Sequence, residues 1–187
     1  GNLTLSAANA YTGATTVNAG VLEFASGGLG TTGPVTFAGS STLRWLTGNT
    51  DSLGSRAITA STGFTGTLDT GSNVVTLTAP IGGAGGIGKA GSGILKLDGA
   101  NTFTGGITIG SGDNGWIEVD NAADLGTGTK TANLSSSTGS SVGGFRLLGG
   151  VSVSGVAINL GGRNTNAATQ HAILNVSGDN TWGGNIN

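Results

Sequence analysis

The stretch Leu95-Lys96-Leu97-Asp98-Gly99-Ala100-Asn101-Thr102-Phe103-Thr104-Gly105 decides the architecture, because its outline occurs three times. Leu3-Thr4-Leu5 leads into Asn9-Ala10-Tyr11-Thr12-Gly13, and Leu174-Asn175-Val176 into Asn180-Thr181-Trp182-Gly183-Gly184. In each copy Asn follows the first Leu by six positions, with an aromatic two further on and Gly two beyond that. Strand-like triplets joined by Gly/Asn/Thr corners, repeated at long intervals, describe a chain that stacks similar units along an axis. Such a chain has no single closed core in which to bury an ordinary active site.

Working outward, the first two copies correspond well past the opening motif. Val21-Leu22-Glu23-Phe24 matches Trp116-Ile117-Glu118-Val119, Gly28-Leu29-Gly30-Thr31 matches Asp124-Leu125-Gly126-Thr127, and Leu43-Arg44-Trp45-Leu46 matches Phe145-Arg146-Leu147-Leu148. The second copy carries small insertions, the plainest being Ser111-Gly112-Asp113-Asn114-Gly115, a Gly/Asp/Asn corner loop. The expected organisation is one β-helical segment over 1–187. It holds two repeats, about 3–94 and 95–173, and the start of a third at 174–187.

Composition agrees. Gly contributes 39 of 187 residues and charged residues only 9%, against averages of about 7% and about 25%. Only 2 Pro and no three-residue Gly period exclude collagen. Recurring Val, Ile, Leu and Phe exclude a flexible linker, and a net charge of −2 is unlike a disordered chain. Cys is absent, which removes disulfides and thiolate metal sites. The 7 Lys and Arg are scattered, leaving no basic patch for nucleic acid. No apolar run approaches the roughly 18 residues that a membrane-spanning helix needs, so no membrane insertion of this segment is expected.

The predicted strands are Leu3–Ser6, Val21–Phe24, Val35–Phe37, Thr42–Leu46, Gly66–Asp69, Val74–Leu77, Ile94–Leu97, Ile107–Ile109, Trp116–Asp120, Gly144–Leu148, Val151–Val153, Val156–Ile158 and Ile173–Val176. No window of helical length keeps i, i+3, i+4 apolar spacing without an interrupting Gly. The fold class is therefore all-β, a right-handed parallel β-helix with essentially no α-helix. Rungs of roughly 20 residues give eight or nine turns, and a strand spacing of about 4.8 Å gives a rod near 40 Å long. A β-sandwich is the alternative, but it does not account for the long repeat. The interior is expected to hold Leu5, Leu22, Phe24, Leu68, Leu77, Leu97, Ile109, Ile117, Val119, Leu148, Ile158 and Val176.

The segment 95–106, with the Gly-rich run 81–93 before it, resembles the passenger-associated repeat of bacterial autotransporters. That family's G-x-G-x-x-x-K-x-G-x-G run is matched at Gly83, Gly85, Lys89, Gly91 and Gly93. The resemblance implies a β-helical passenger segment, extracellular or displayed on a bacterial surface. Neither a leader-like start nor a C-terminal membrane barrel lies within these residues, so an internal slice of a longer protein is expected.

Motifs for chemistry are sparse. Gly83-Ala84-Gly85-Gly86-Ile87-Gly88 fits G-x-G-x-x-G, and Gly83 to Lys89 nearly completes a phosphate loop. Both need a following helix, and Ala90 stands where a Mg²⁺-binding hydroxyl belongs. The run is read as a corner. The calcium nonapeptide fails because Ile87 replaces its Asp, and Asp113-Asn114-Gly115 supplies too few oxygens for Ca²⁺. The lone His171 has no Cys or second His to share a metal. No cofactor, metal or catalytic residue is assigned.

One surface stands out. Glu118 and Asp120 lie two apart and point outward beside Trp116, with Ile117 and Val119 inward. An aromatic ring flanked by carboxylates can stack on and hydrogen-bond a sugar, so Trp116, Glu118 and Asp120 form a candidate glycan-contact face. The plainer reading is a solvated strand face. Asp113 and Asp124 lie close in sequence, and Lys130 is the nearby base that a lyase would need. The leading function is a structural rod in an adhesin, stalk or filament, without enzymatic activity. The alternative is a carbohydrate-binding or carbohydrate-cleaving module. Expected partners are neighbouring rungs of the same protein, further copies stacked head to tail, and a surface glycan.

Overall fold

The computed structural model describes residues 1–110, 115–135, 143–161 and 171–187. The 111–114 part of the inserted corner, with Asp113, lies outside the described residues. The strands are β1 (Asn2–Leu5), β2 (Thr15–Val17), β3 (Gly20–Phe24), β4 (Val35–Phe37), β5 (Ser41–Trp45), β6 (Ile58–Ala60) and β7 (Thr65–Asp69). They continue with β8 (Val74–Leu77), β9 (Ile81–Gly82), β10 (Gly86–Ala90), β11 (Ile94–Leu97), β12 (Ile107–Ile109) and β13 (Trp116–Val119). The last are β14 (Lys130–Ser135), β15 (Gly144–Leu147), β16 (Ser152–Val153), β17 (Val156–Gly161), β18 (Ile173–Asn175) and β19 (Thr181–Trp182). Among the described residues the only helical element is a 3₁₀ turn at Ala122–Leu125.

Among the described residues every strand pairing is parallel. An eight-stranded sheet runs β1-β3-β5-β7-β10-β12-β14-β17, a five-stranded sheet β18-β15-β13-β11-β8, and a four-stranded sheet β2-β4-β6-β9, with β16-β19 as a pair. The molecule is a parallel β-solenoid. Its register stacks Leu3, Leu22, Leu43, Leu68, Lys89, Ile109, Leu134 and Leu160, successive members lying 19, 21, 25, 21, 20, 25 and 26 residues apart. That makes about seven turns rather than the expected eight or nine, because enlarged corners lengthen several rungs. Seven rises of about 4.8 Å give roughly 34 Å.

Alternation along each strand sets the faces. In β3, Leu22 and Phe24 are buried while Val21 and Glu23 look outward, and in β5 Leu43 and Trp45 are buried while Thr42 and Arg44 look outward. Phe24 and Trp45 meet edge to face, ring centroids 5.0 Å apart, an arrangement that adds about 0.5–1.5 kcal/mol beyond area burial. Of the expected interior residues, Leu22, Phe24, Leu68, Leu77, Leu97, Ile109, Ile117, Val119 and Ile158 are buried. Leu148 is a correction: β15 ends at Leu147, which points inward, so Leu148 is only half-buried at the corner. Leu5 and Val176 are the other two, Leu5 being half-buried and Val176 exposed in the outermost rungs.

The Gly83–Lys89 run, expected to be a corner, contains strand β10. Its alternation is hidden in the sequence because the outward positions are Gly86 and Gly88, while Ile87 and Lys89 point in. Lys89 takes a place in the aliphatic column and is 1% exposed. Its Nζ donates to the carbonyls of Ala90 at 2.6 Å and Gly91 at 2.8 Å, which satisfies the buried ammonium from the turn that follows. Gly91 has φ +77°, and a Cβ there would collide with the Gly71 backbone N and O and with the Asp69 carboxylate. The Lys-x-Gly of the sequence motif is thus a lysine clamping the turn from inside and a glycine admitting the close approach from outside.

Candidate functional site

Trp116, Glu118 and Asp120 are not equivalent in space. Trp116 and Glu118 are outward, half-buried residues of β13. Asp120 lies beyond the strand, which ends at Val119, one residue earlier than expected. The reason is Asp124, whose Oδ2 accepts from the Asp120 N–H at 3.1 Å and the Asn121 N–H at 3.0 Å. With Asn121 Oδ1 accepting from Ala123 N–H at 3.0 Å, these bonds form a capping box that starts the 3₁₀ turn. Asn121-x-x-Asp124 is the sequence signal that would have located this turn.

The carboxylates on this face already have partners. Glu118 Oε2 lies 3.7 Å from Arg146 Nη1 in the next rung, and Asp120 Oδ2 lies 2.8 Å from Lys96 Nζ in the previous one. Lys96 also contacts Asp98 at 3.2 Å, and hydrogen bonds to these carboxylates, Asp120 first, hold its ammonium pKa above the usual range. Trp116 pairs in register with Ile94 before it and Gly144 after it, and Ile94 with Val74, so an outward column Val74–Ile94–Trp116 runs beside the ion pairs. Side-chain bulk stops at Gly144 on the far side of the ring.

The matched Glu23 behaves as Glu118 does. Glu23 Oε1 accepts from Arg44 Nη1 at 2.7 Å, and Arg44 Nε donates to Asp69 Oδ2 at 2.6 Å. The Thr4 hydroxyl donates to Glu23 at 2.9 Å, and this bond and Arg44 hold the Glu23 carboxyl below its ordinary pKa. Charge on the outer faces is therefore organised as ladders across rungs.

Asp124 and Lys130 do not form an acid–base pair with the face. Asp124 is 3% exposed, and burial, against its two backbone N–H donors, pushes its pKa up to about 6. Lys130 points inward: its Nζ donates to the carbonyls of Phe103 at 2.7 Å and Leu125 at 2.8 Å and lies 4.1 Å from the Phe103 ring centroid. Burial lowers its pKa to about 8. His171 is exposed just before β18. Among the described residues, no three His, Cys, Asp or Glu side chains gather as a metal site, and no helix is long and apolar enough to cross a membrane. A corner cleft of about 370 Å³ contains one carboxylate, Asp51. Clefts of about 450 Å³ beside Leu3, about 440 Å³ beside Lys130 and about 450 Å³ beside Gly128 contain none.

Comparison with known proteins places this geometry. The passenger-associated-transport-repeat family model matches residues 1–24 and 88–113. The first match covers β1 to β3, and the second runs from Gly88 within β10 past the end of β12. An adhesin, the BmaC autotransporter of Brucella suis biovar 1 (strain 1330), is 35% identical over 109 residues. The alignment spans 58% of this chain and 3% of that much longer relative. No solved structure matches. The chain carries the passenger-associated repeat of bacterial autotransporters on a parallel β-solenoid, and it is a cell-surface or extracellular bacterial protein.

Proposed function

We propose that this chain is a structural segment of a β-helical rod in a larger surface adhesin, stalk or filament, spacing or projecting other parts of that protein. One observation carries the reading: a parallel sheet continues through eight strands with an inner column that is aliphatic apart from Lys89. The outer Glu23–Arg44–Asp69 and Glu118–Arg146 pairs, repeated at matched positions, support charge used for stacking and solvation rather than catalysis. On this reading 1–187 is one internal β-helix segment with repeats at about 3–94 and 95–173 and a third beginning at 174. Leu3, Val176 and Ile186 are exposed on the outermost rungs. Adjoining rungs of the same chain cover them, and in isolation further copies stack head to tail. Small-angle scattering across a concentration series tests this, with rods that lengthen in multiples of one segment as the expected result. A strictly monomeric chain removes the head-to-tail part.

The same reading makes the protein non-enzymatic. Incubation with a panel of polysaccharides is expected to release no reducing ends and no unsaturated products; turnover lost in Glu118→Gln would overturn it. A second reading rests on the Val74–Ile94–Trp116 column ending at Gly144, which leaves one side of the indole ring without a neighbouring side chain in register. Trp116, Glu118 and Asp120 would then contact a surface glycan, and quenching of Trp fluorescence by oligosaccharides, absent in Trp116→Leu, tests it.

A further inference from the structure

The link between β5 and β6 spans 46–57, far longer than the 78–80 link between β8 and β9. With the preceding corner it walls the cleft of about 370 Å³, whose lining includes Thr31, Asp51, Ser52, Leu53, Ser55 and Arg56. The polar walls are fixed from behind. The Asp51 carboxylate accepts from the Ser26 hydroxyl at 2.6 Å and the Gly27 N–H at 2.7 Å, and its backbone carbonyl accepts from Trp45 Nε1 at 2.9 Å. The Arg56 guanidinium donates to the carbonyls of Leu29, at 2.8 Å, and Gly30. No ion pair within 4 Å joins Asp51 to Arg56, so an anchored carboxylate and an anchored guanidinium stand apart in one cleft. Between them Leu53 is held at φ 59°, the only non-glycine residue with positive φ among the described residues, with its side chain buried. Such a backbone is costly for a branched side chain and persists where surrounding structure enforces it, commonly at ligand-holding loops.

We propose that this cleft binds one unit of a neutral saccharide. A vicinal diol can donate to the Asp51 carboxylate and accept from Arg56, each of which retains hydrogen-bonding capacity beyond the bonds above. The hydroxyls of Thr31, Ser52 and Ser55 supply further contacts, and Leu53 an apolar wall. An anion would meet Asp51 as well as Arg56, and a cation the reverse, whereas a neutral polyol satisfies both. The volume lies within the range of small-molecule sites. The cleft shares no residue with the Trp116 face, and the proposal stands independently of it.

The test is a titration of the ¹⁵N-labelled chain with glucose, galactose and mannose, with glucuronate and inorganic phosphate as anionic probes. Amide shifts should concentrate in 27–31 and 51–56, with dissociation constants on the order of 1–10 mM for the best neutral sugar. Ser55→Trp fills the cleft from an exposed position without removing any bond named above, and should abolish these shifts while the remaining spectrum is unchanged. Absence of shifts with every neutral sugar, their persistence in Ser55→Trp, or stronger binding of glucuronate or phosphate would overturn the proposal. A response confined to the Trp116 indole would overturn it while supporting the other face.

Discussion

Asn9 and Asn101 close their corners with the same hydrogen bond. Asn9 Nδ2 donates to the Gly28 carbonyl at 2.7 Å, and Asn101 Nδ2 donates to the Asp124 carbonyl at 3.0 Å. Gly28 and Asp124 are themselves matched in sequence, so each Asn ties its corner to the corresponding residue one rung on. The next residues repeat the pattern: Thr31 N–H donates to the Tyr11 carbonyl at 3.0 Å, and Thr127 N–H to the Phe103 carbonyl at 3.1 Å. Gly30 and Gly126 both have φ 74°, and a Cβ on either would collide with that same aromatic carbonyl.

Burial separates the two asparagines energetically. Asn101 is 3% exposed and also accepts from Ile81 N–H and donates to the Leu97 carbonyl, whereas Asn9 is exposed. Asn101→Ala leaves buried groups unpaired and should cost about 2–4 kcal/mol, while Asn9→Ala should cost less than about 1 kcal/mol. Urea unfolding of both variants checks the contrast, and equal costs would contradict it.

Lys89→Met makes the inner column wholly apolar but removes both Nζ bonds to the turn. Ala90 O retains the Thr70 N–H, at 3.2 Å, so the loss falls chiefly on Gly91 O. A net destabilisation of about 1–3 kcal/mol is expected, with faster amide exchange at 70–73 and 90–93. Removing a buried charge can also stabilise a protein. An unchanged or higher melting temperature would show that the clamp is dispensable.

Asp124 gives a pH signature. Its folded pKa is raised to about 6 from 3.8, so between these values the folded state binds more protons than the unfolded state. This group's contribution is full below about pH 4 and is lost as pH rises through 6. Subtracting the stability profile of Asp124→Asn from that of the parent should show a difference falling with pH across this window. A flat difference would mean that the side chain is not held as described.

The two ladders should respond differently to loss of arginine. Arg44 bridges Glu23 and the buried Asp69 at 2.7 and 2.6 Å, while among the described residues Arg146 pairs with one carboxylate, Glu118, at 3.7 Å. Arg44→Met leaves Glu23 and Asp69, one rung to either side, without the cation between them and should lower the melting temperature more than Arg146→Met, with added salt recovering part of the loss. The reverse order would remove the ladder argument.

Local chemistry was legible in the sequence because it is local. Strands such as Val35–Phe37, Val74–Leu77, Ile94–Leu97 and Ile107–Ile109 have the expected bounds, since β-branched and aliphatic alternation between Gly-rich corners states both strand and inner face. The matched Asn, aromatic and Gly positions likewise revealed stacking, because each must repeat one backbone shape. Where those shapes sit around the axis was decided only in three dimensions. Strands β1, β3 and β5 belong to the eight-stranded sheet, but their counterparts β11, β13 and β15 belong to the five-stranded sheet. Likewise β2 lies in the four-stranded sheet and its counterpart β12 in the eight-stranded one. The second copy thus uses the same local geometry one sheet further round. Lys130, Asn101 and Arg56 hold the corners in place by donating to carbonyls across rungs. Those partners lie 23 to 27 residues away in sequence and are brought within bonding distance only by the stack itself.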